Sequence, residues 1–356
     1  MKILMLVNWK IKYCKEKPGD KQPPDYYING EDYWFYRNFR EKTEVDVIDI
    51  SSFPWLEHFE KEKIRFYIWQ PLKAIPKLGQ YDLIVSHGMQ SGVVLSLWRR
   101  LFRTKAKHIV FDIGSFNSAA ECGFALKLMQ FASRSIDGLI YHTGSQMEYY
   151  RRFFPWLTDR SRFIRFGTDL DFFDSASRPE VGDRGSYILC VGYAKRDWDT
   201  VVGAYQKLET DAALRMVGHV DEKYSGIAGV EQIPFIPIRD LMDQICHARF
   251  CVLPLESFNY SYGQMTLMQQ MALGKCVIAA RVPSLVDYIV DGKTAVMYEP
   301  CNSEDLAEKM KLLDQNADLR NGIAEAGRRY LQEECNEKIM AREIEDFLIR
   351  VMEDGK

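Results

Sequence analysis

A polar, glycine-containing loop near residue 265 leads into an amphipathic helix and then a buried strand. The segment covers residues 261–278, and Gly274 stands where that helix would need a C-terminal cap. The first backbone amides of the helix, those of Gln264, Met265 and Thr266, would point out of its N-terminus, where the helix dipole favours an anion. The segment therefore predicts a phosphate-binding helix, although a plain helix between two strands fits the spacing equally well.

Two adjacent cations, Lys195 and Arg196, lie between a predicted strand at Tyr187–Val191 and a predicted helix at Asp199–Leu208. Fixed cations at such a place can bind an anion. A solvated surface pair is the alternative, but cations at a helix start oppose the helix dipole. The position favours a role in binding phosphate.

His87 and Asp112 each end a predicted strand. His87 could carry a proton to or from an acceptor hydroxyl. A structural histidine at a strand end is the alternative, and His142 presents a weaker version of the same pattern.

The elements that must position these residues form two α/β series. The predicted strands are Ile3–Val7, Val45–Ile50, Asp82–Ser86, His108–Asp112, Gly138–Tyr141, Phe163–Phe166, Tyr187–Val191, Leu214–Gly218, Phe250–Leu253 and Cys276–Ala280. Helical patterns alternate with the strands, which predicts parallel sheets with crossover helices. The expected fold class is α/β, with two Rossmann-like, doubly wound domains that face each other across a cleft.

A polar stretch from Asp169 to Ser186 separates the two series. We therefore expect an N-terminal domain at 1–175, a C-terminal domain at 183–335 and a final helix at 336–356. The final helix has apolar residues at helical spacing, and we expect it to pack back towards the N-terminal domain.

With these features the chain resembles GT-B glycosyltransferases of family four, also described as glycosyl transferases group 1. That family's signature has a Glu, seven further residues, a second Glu, an apolar helix end, a Gly and a strand. Aligned on residues 271–275, the second Glu falls on Gln269 and the first on Ser261, so both carboxylates are missing. The resemblance implies that Gln269 binds the donor ribose and that Ser261 lies near the donor sugar.

The resemblance implies that the N-terminal domain, 1–175, binds the acceptor and that the C-terminal domain, 183–335, binds the nucleotide-sugar donor. It also implies further donor contacts. Arg196 aligns with a Lys that binds the diphosphate in the family, and Lys195 could replace the family's Arg. The segment 234–237 is similar to the loop that meets the nucleobase, and Gly30 would belong to a glycine turn facing the donor phosphates. The implied donor-binding residues are Gly30, Gly192, Tyr193, Ser261, Tyr262, Gly263, Gln264, Met265, Thr266 and Gln269, with Phe235, Ile236 and Pro237 in the base loop.

The implied activity is transfer of a sugar from a nucleotide-sugar donor to a hydroxyl of a saccharide or lipid-linked saccharide, with retention of configuration. Arg196, Lys195 and His87 are the expected catalytic residues. We expect no cofactor beyond the nucleotide-sugar co-substrate and no metal, because Asp169 and Asp171 have Asp-x-Asp spacing only within the interdomain segment.

The missing carboxylates leave a second interpretation open. The chain could be a non-catalytic nucleotide-binding or scaffold partner of another glycosyltransferase. A nucleotide-sugar epimerase with the same fold is a weaker third possibility.

Composition limits the partners and the cellular compartment that we expect. The chain has 356 residues, 47 Lys and Arg against 50 Asp and Glu, and a net charge of −3, which argues against a nucleic-acid partner. The cysteines form no CxxC pair and several lie in apolar runs, as expected for thiols in a reducing compartment. The apolar run at residues 3–7 is too short for a signal peptide. We expect a cytoplasmic protein.

A basic run with interleaved aromatic residues spans residues 98–107, and residues 66–73 have a similar character. Such segments can bind an anionic membrane surface. We expect peripheral contact with the inner face of a membrane through Trp98, Arg99, Arg100 and Arg103. A helix end whose cations complement the dipole is the alternative.

Overall fold

The structure is a computed structural model. It describes residues 1–19, 21, 23–64, 66–102, 104–114, 121–174, 185–192, 194–258 and 260–354. The predicted domain boundary, between residues 175 and 183, lies outside these residues.

The first domain is built on a parallel sheet. Within the described residues its strands are β1 (Lys2–Leu6), β2 (Lys12–Cys14), β3 (Tyr26–Ile28), β4 (Glu44–Ile48), β5 (Leu83–His87), β6 (Lys107–Asp112), β7 (Gly138–Tyr141) and β8 (Ser161–Phe163). Six of these pair in the order β4-β1-β5-β6-β7-β8, whereas β2 and β3 pair with each other. The central strands are continuous apolar runs because helices cover both faces of the sheet.

The connections of the first domain are mostly helical. Its described helices are α1 (Pro54–Phe59), α2 (Trp69–Ala74), α3 (Met89–Leu101), α4 (Phe124–Ser133), α5 (Gln146–Phe153) and α6 (Leu170–Asp174). Short 3₁₀ turns occupy Trp34–Asn38, Ile75–Gln80 and Pro155–Arg160, and a π turn occupies Glu60–Ile64.

The second domain repeats the plan. Its strands, as far as the chain is described, are β9 (Tyr187–Val191), β10 (Ala213–Val217), β11 (Val230–Ile233), β12 (Cys251–Leu253), β13 (Val277–Ala280) and β14 (Val296–Tyr298). They form a parallel sheet in the order β11-β10-β9-β12-β13-β14. The helices are α7 (Trp198–Tyr205), α8 (Ile238–His247), α9 (Gln264–Ala272), α10 (Ser303–Gln315), α11 (Ala317–Glu334) and α12 (Glu337–Glu353), with a 3₁₀ turn at Glu222–Tyr224.

The last helix, α12, contributes to the core of the first domain. Its apolar residues at helical spacing join the cluster that contains Ile3, Met5 and Val85. Phe347 of this helix lies against Gly138 of β7, where an added Cβ would come within 3.0 Å of its ring. The chain therefore returns to the first domain after completing the second.

Each sheet reverses its winding at one point, between β1 and β5 in the first domain and between β9 and β12 in the second. Open parallel sheets bind ligands beyond the strand C-termini at such a point. Asn8 and His87 lie there in the first domain, and Gly192 and Leu255 lie there in the second. The topology thus brings two ligand-binding edges to one cleft.

Candidate active site

A cleft of about 910 Å³ lies between the two domains. Residues from both switch points line it, which places the sequence-predicted residues of separate loops in one site. The predicted residues that line the cleft are His87, Gly192, Lys195, Arg196, Phe235, Ile236, Pro237, Ser261, Tyr262, Gly263, Gln264, Met265, Thr266 and Gln269. Tyr193 lies outside the described residues.

Arg196 is held on the second-domain side of the cleft. Its Nε donates to the carbonyl of Val191 at 2.9 Å, and one terminal nitrogen donates to the hydroxyl of Tyr262 at 3.0 Å. The other terminal nitrogen lies 3.3 Å from Thr266 Oγ1, in the first turn of α9. A guanidinium is thus fixed beside a helix N-terminus, and the two together make an anion-binding edge.

Gly192 explains how Arg196 reaches this place. Its φ of +144° is unfavourable for a side chain, and an added Cβ would lie 2.4 Å from Arg196 Nε. Gly218 packs on the same turn, where an added Cβ would lie 2.9 Å from the carbonyl oxygen of Gly192. Both glycines let the backbone of the strand ends approach the cleft closely.

Lys195 points to a different place from Arg196. Its ammonium lies over the rings of Phe258, Tyr260 and Tyr262, at 4.6, 4.1 and 5.2 Å from their centroids, and it contacts the hydroxyl of Tyr260. Lys195 also has a positive φ of 56°. The two predicted cations therefore sit in different surroundings, Arg196 beside α9 and Lys195 in an aromatic cage at the mouth of the cleft.

The first turn of α9 lies as the sequence predicts, with Gln264 as the first residue of the helix. Gly263 caps its N-terminus with φ +85° and Gly274 follows its C-terminus with φ +72°. Gln264 is buried, and its amide donates to Ser261 Oγ and Thr143 Oγ1, both at 3.2 Å.

Ser261, where the resemblance implies a Glu, takes part in an interdomain contact. Its hydroxyl lies 3.2 Å from Thr143 Oγ1 of the first domain. Gln269, at the position of the second Glu, is buried and lines the cleft. Neutral hydrogen-bonding groups thus occupy both carboxylate positions.

His87 lies at the end of β5 on the opposite wall. Its Nδ1 lies 3.3 Å from Asn8 Oδ1, and its ring packs edge-on against Trp9 at 4.6 Å. Its Nε2 is buried and has no hydrogen-bond partner among the described residues. Burial lowers the pKa of His87 to about 3, with a further contribution from His142. At neutral pH the imidazole is uncharged.

His142 also lines the cleft, but its ring is engaged. Its Nδ1 lies 2.7 Å from the carbonyl of Ile164, and burial lowers its pKa to about 4. The hydroxyl of Tyr288, from the second domain, donates to the backbone carbonyl of His142 at 2.7 Å and accepts from Phe166 N at 2.9 Å. His142 therefore belongs both to the interdomain contact and to the wall of the cleft.

Several lining residues were missed from the sequence. Asn8, Trp9 and Trp34 form the first-domain wall beside His87, and Tyr260 closes the mouth against Gly114. The position of Asn8 and Trp9 directly after β1 could have revealed them, because the end of a first strand is a switch-point position. Trp34 follows a turn and carries no comparable signal.

The structure corrects the prediction that Gly30 faces the donor. This residue does not line the cleft; it lies in a neighbouring depression with Tyr26 and Glu31. Gly30 follows β3 of the small sheet, and the residues around it line this depression rather than the cleft.

The predicted membrane segment is corrected at Arg99. Its guanidinium donates to Asp137 Oδ2 at 2.7 Å and its side chain is only 9% exposed. Trp98 stacks on Phe102 at 4.1 Å and is partly buried. Arg100 remains at the surface near the ring of Phe131, whereas Arg103 lies outside the described residues.

Among the residues that the structure describes, no group of three or more His, Cys, Asp or Glu side chains could hold a metal ion. In the same ranges, no helix has both the length and the apolar character needed to cross a membrane.

Comparison with known proteins agrees with this geometry. Residues 185–316 match the family model described as glycosyl transferases group 1. A relative described as an uncharacterized glycosyltransferase of Methanocaldococcus jannaschii is 35% identical over 81 residues, which cover 23% of this chain and 22% of the relative.

Solved structures share the fold of the whole chain. Sucrose-phosphate synthase from Thermosynechococcus elongatus has a TM-score of 0.71 at 17% identity, with both chains fully covered. HepE from Anabaena in complex with UDP has a TM-score of 0.69 at 12% identity, covering 98% of this chain and 100% of the other. At such identities the likeness establishes the fold, which is GT-B. The predicted fold class and the resemblance to glycosyl transferases group 1 are both confirmed.

Proposed function

We propose that this chain is a glycosyltransferase that moves a sugar from a nucleotide-sugar donor to a hydroxyl of a saccharide or lipid-linked saccharide. The observation that carries the proposal is Arg196, fixed beside the N-terminus of α9 at the switch point of the family-matched domain. A guanidinium and helix amides at one edge suit the oxygens of a nucleoside diphosphate.

Residues on the two walls of the cleft have different roles in the proposed reaction. Arg196 and the first amides of α9 stabilise the charge that grows on the diphosphate as the bond to the donor sugar breaks. Gln269 binds the ribose and the loop at 235–237 meets the base, as the resemblance implies. Neutral His87 lines the cleft and its Nε2 has no partner among the described residues, so this residue exchanges a proton with the acceptor hydroxyl.

Lys195 has a conditional role. In this structure its ammonium is held by the aromatic loop 258–262. A diphosphate in the cleft offers the ammonium a stronger partner than neutral rings, so we propose that Lys195 leaves the rings when donor binds.

UDP is the first nucleotide to test, because the HepE structure that shares this fold is a complex with UDP. The purified chain is incubated with UDP-sugars and the release of UDP is measured, with and without EDTA. We expect slow donor hydrolysis that persists in chelator, since the proposed stabilising groups are protein cations and amides. Arg329→Ala, a change of an exposed Arg on α11, is the control for Arg196→Ala.

A non-catalytic role is the second candidate. Ser261 and Gln269 replace both carboxylates of the family signature, and Ser261 instead bonds across the cleft to Thr143. A protein that binds UDP tightly but releases none from any UDP-sugar, alone or with acceptors, would support a scaffold role and contradict the enzyme.

We also propose a peripheral membrane contact, now centred on the C-terminal end of α3. Leu101 and Phe102 are 71% and 50% exposed there, and the cation of Arg100 lies beside them in sequence. Exposed apolar side chains with an adjacent cation suit the headgroup region of an anionic bilayer.

A further inference from the structure

A second depression, of about 360 Å³, opens beside the main cleft in the first domain. It is formed by the segment that follows the small sheet of β2 and β3. Its lining includes Tyr26, Tyr27, Glu31, Asp32 and Trp34. No residue of the second domain lines it, so it is separate from the donor side.

Aromatic side chains form one wall of this depression. Tyr27 is half-buried and packs edge-on against Tyr33 at 5.4 Å, while Tyr26 and Trp34 are almost fully buried. Rigid rings with a partly exposed face offer flat apolar surface at little cost in side-chain entropy. The face of a pyranose ring, which presents C–H groups, matches such a surface.

Trp34 joins the depression to the main cleft. Its side chain lines both cavities. Its φ of +49° is rare for a bulky residue, which marks a conformation imposed by its surroundings. Its ring centre lies 5.6 Å from that of His87, which lines the cleft and whose buried Nε2 has no partner among the described residues. A chain of sugar rings can therefore run from His87 over Trp34 into the depression.

The polar groups of the depression determine which ligand charge it favours. Across the described residues, the carboxylates of Glu31 and Asp32 have no hydrogen-bond or ion-pair partner. Arg37, at the rim, is already bound to Asp169 at 2.6 Å and to Glu337 at 2.7 Å. The free groups are thus acceptors with a net negative charge, suited to sugar hydroxyls and unfavourable for phosphorylated or carboxylated sugars.

We propose that this depression is an acceptor subsite that holds a neutral sugar unit one or two residues beyond the reacting hydroxyl. The inference rests on the proposed function, because it places the reacting hydroxyl at His87. It narrows the acceptor to a neutral oligosaccharide of at least two units, free or lipid-linked.

Saturation-transfer NMR and titration with the full chain in saturating UDP test the subsite. The probes are three series of one, two and three units: glucose with α1,4 links, glucose with β1,4 links, and N-acetylglucosamine with β1,4 links. We expect at least one series to bind about tenfold more tightly as the trisaccharide than as the monosaccharide. Asp32→Asn, which keeps the shape of the side chain, and Tyr27→Ala should each remove most of that gain while leaving the monosaccharide unchanged. Trp55→Ala, an exposed aromatic of the same domain that does not line the depression, is the control.

Equal affinity for one and three units in all three series overturns the subsite, as does a gain that survives both variants. Preference for phosphorylated or uronic oligosaccharides overturns its neutral specificity. UDP binding is measured separately by calorimetry. If saccharide binding depends on length but UDP does not bind, the proposed function is contradicted and the subsite is supported. If UDP binds but saccharide binding does not depend on length, the subsite is contradicted and the proposed function is supported.

Discussion

The two walls of the cleft differ in how their residues reach it. On the second-domain side, Arg196 lies in the loop after β9 and α9 begins after the loop that follows β12, and a short sequence motif marks each of them. On the first-domain side, Trp9 follows β1, whereas Trp34 begins a 3₁₀ turn after the small sheet of β2 and β3. Under the proposed function the second-domain wall binds a constant group, the diphosphate, and local motifs can build such a wall. The wall opposite is assembled from aromatic contacts between residues distant in sequence.

The largest effect should come from the second-domain wall. Arg196→Ala should lower kcat by roughly two to three orders of magnitude, as does removal of a preorganised group that stabilises charge in the transition state. Arg196→Lys should recover part of the loss because it restores a cation. The measurement is steady-state kinetics of UDP release, with folding checked by thermal melting.

Arg329→Ala should leave kcat unchanged, and Lys195→Ala should cost less than Arg196→Ala because the Lys195 ammonium is held away by the aromatic loop. Near-parental kcat for a folded Arg196→Ala protein would make the basic pair a plain surface feature and remove the proposed contrast between the walls.

The same contrast explains what could be predicted. Most strands of both sheets were predicted because buried strands are short apolar runs, but the edge strands β11 and β14 were missed. The C-terminal cap at Gly274 was found because a left-handed cap favours glycine. The resemblance then indicated Gly192 and Arg196, and the end of a predicted strand indicated His87. β8 ends at Phe163, where the predicted sixth strand begins, and β2, β3 and the long helix α11 were not anticipated.

The rest depends on tertiary contacts that leave no local pattern. Arg99 belongs to a basic run in sequence, yet a carboxylate 38 residues away, Asp137, draws it out of solvent. Gly30 was assigned to the cleft by resemblance, but it lines the separate depression with Tyr26 and Glu31. Trp34 enters the cleft only because residues 34–38 form a 3₁₀ turn packed on the core of the first domain.

The buried histidines of the first-domain wall should make the stability of the protein fall in acid. Burial lowers the pKa of His87 to about 3 and that of His142 to about 4, whereas an unfolded histidine titrates near pH 6.5. Below pH 6.5 the unfolded chain takes up protons that the folded chain refuses, so stability is complete above that pH and falls towards pH 4. Each residue should account for about 2 kcal/mol of lost stability at pH 5.

Denaturant unfolding between pH 7.5 and 5 measures this effect. His87→Gln should reduce the dependence of stability on pH, whereas His58→Gln, which changes an exposed histidine of α1, should not. An unchanged pH slope in His87→Gln would mean that the folded site accepts the proton, and neutral His87 would no longer distinguish this wall.

A smaller effect tests the neutral replacement of the signature carboxylate. Gln269→Ala should weaken UDP binding by about 1 kcal/mol, the usual net value of one neutral hydrogen bond. Gln269→Glu should be tolerated. Calorimetric titration with UDP measures both, with Gln315→Ala on the exposed end of α10 as control. Parental affinity in Gln269→Ala would show that the alignment of the signature is shifted.

The smallest effect concerns the outer surface of the first domain, where the structure separates two neighbouring arginines. Arg100 is at the surface beside exposed Leu101 and Phe102, and one cation near an anionic bilayer contributes about 1 kcal/mol. Arg100→Ala should therefore lower partitioning onto phosphatidylglycerol vesicles about fivefold in low salt, and the difference should fade at high salt.

Arg99→Ala should instead lower the melting temperature, because it leaves Asp137 without its partially buried partner. Co-sedimentation with vesicles measures the first effect and thermal melting the second, with Arg329→Ala as control for both. If the parent chain ignores anionic vesicles in low salt, the end of α3 is a helix terminus whose cations only complement the dipole, and the first domain meets its acceptor away from any membrane.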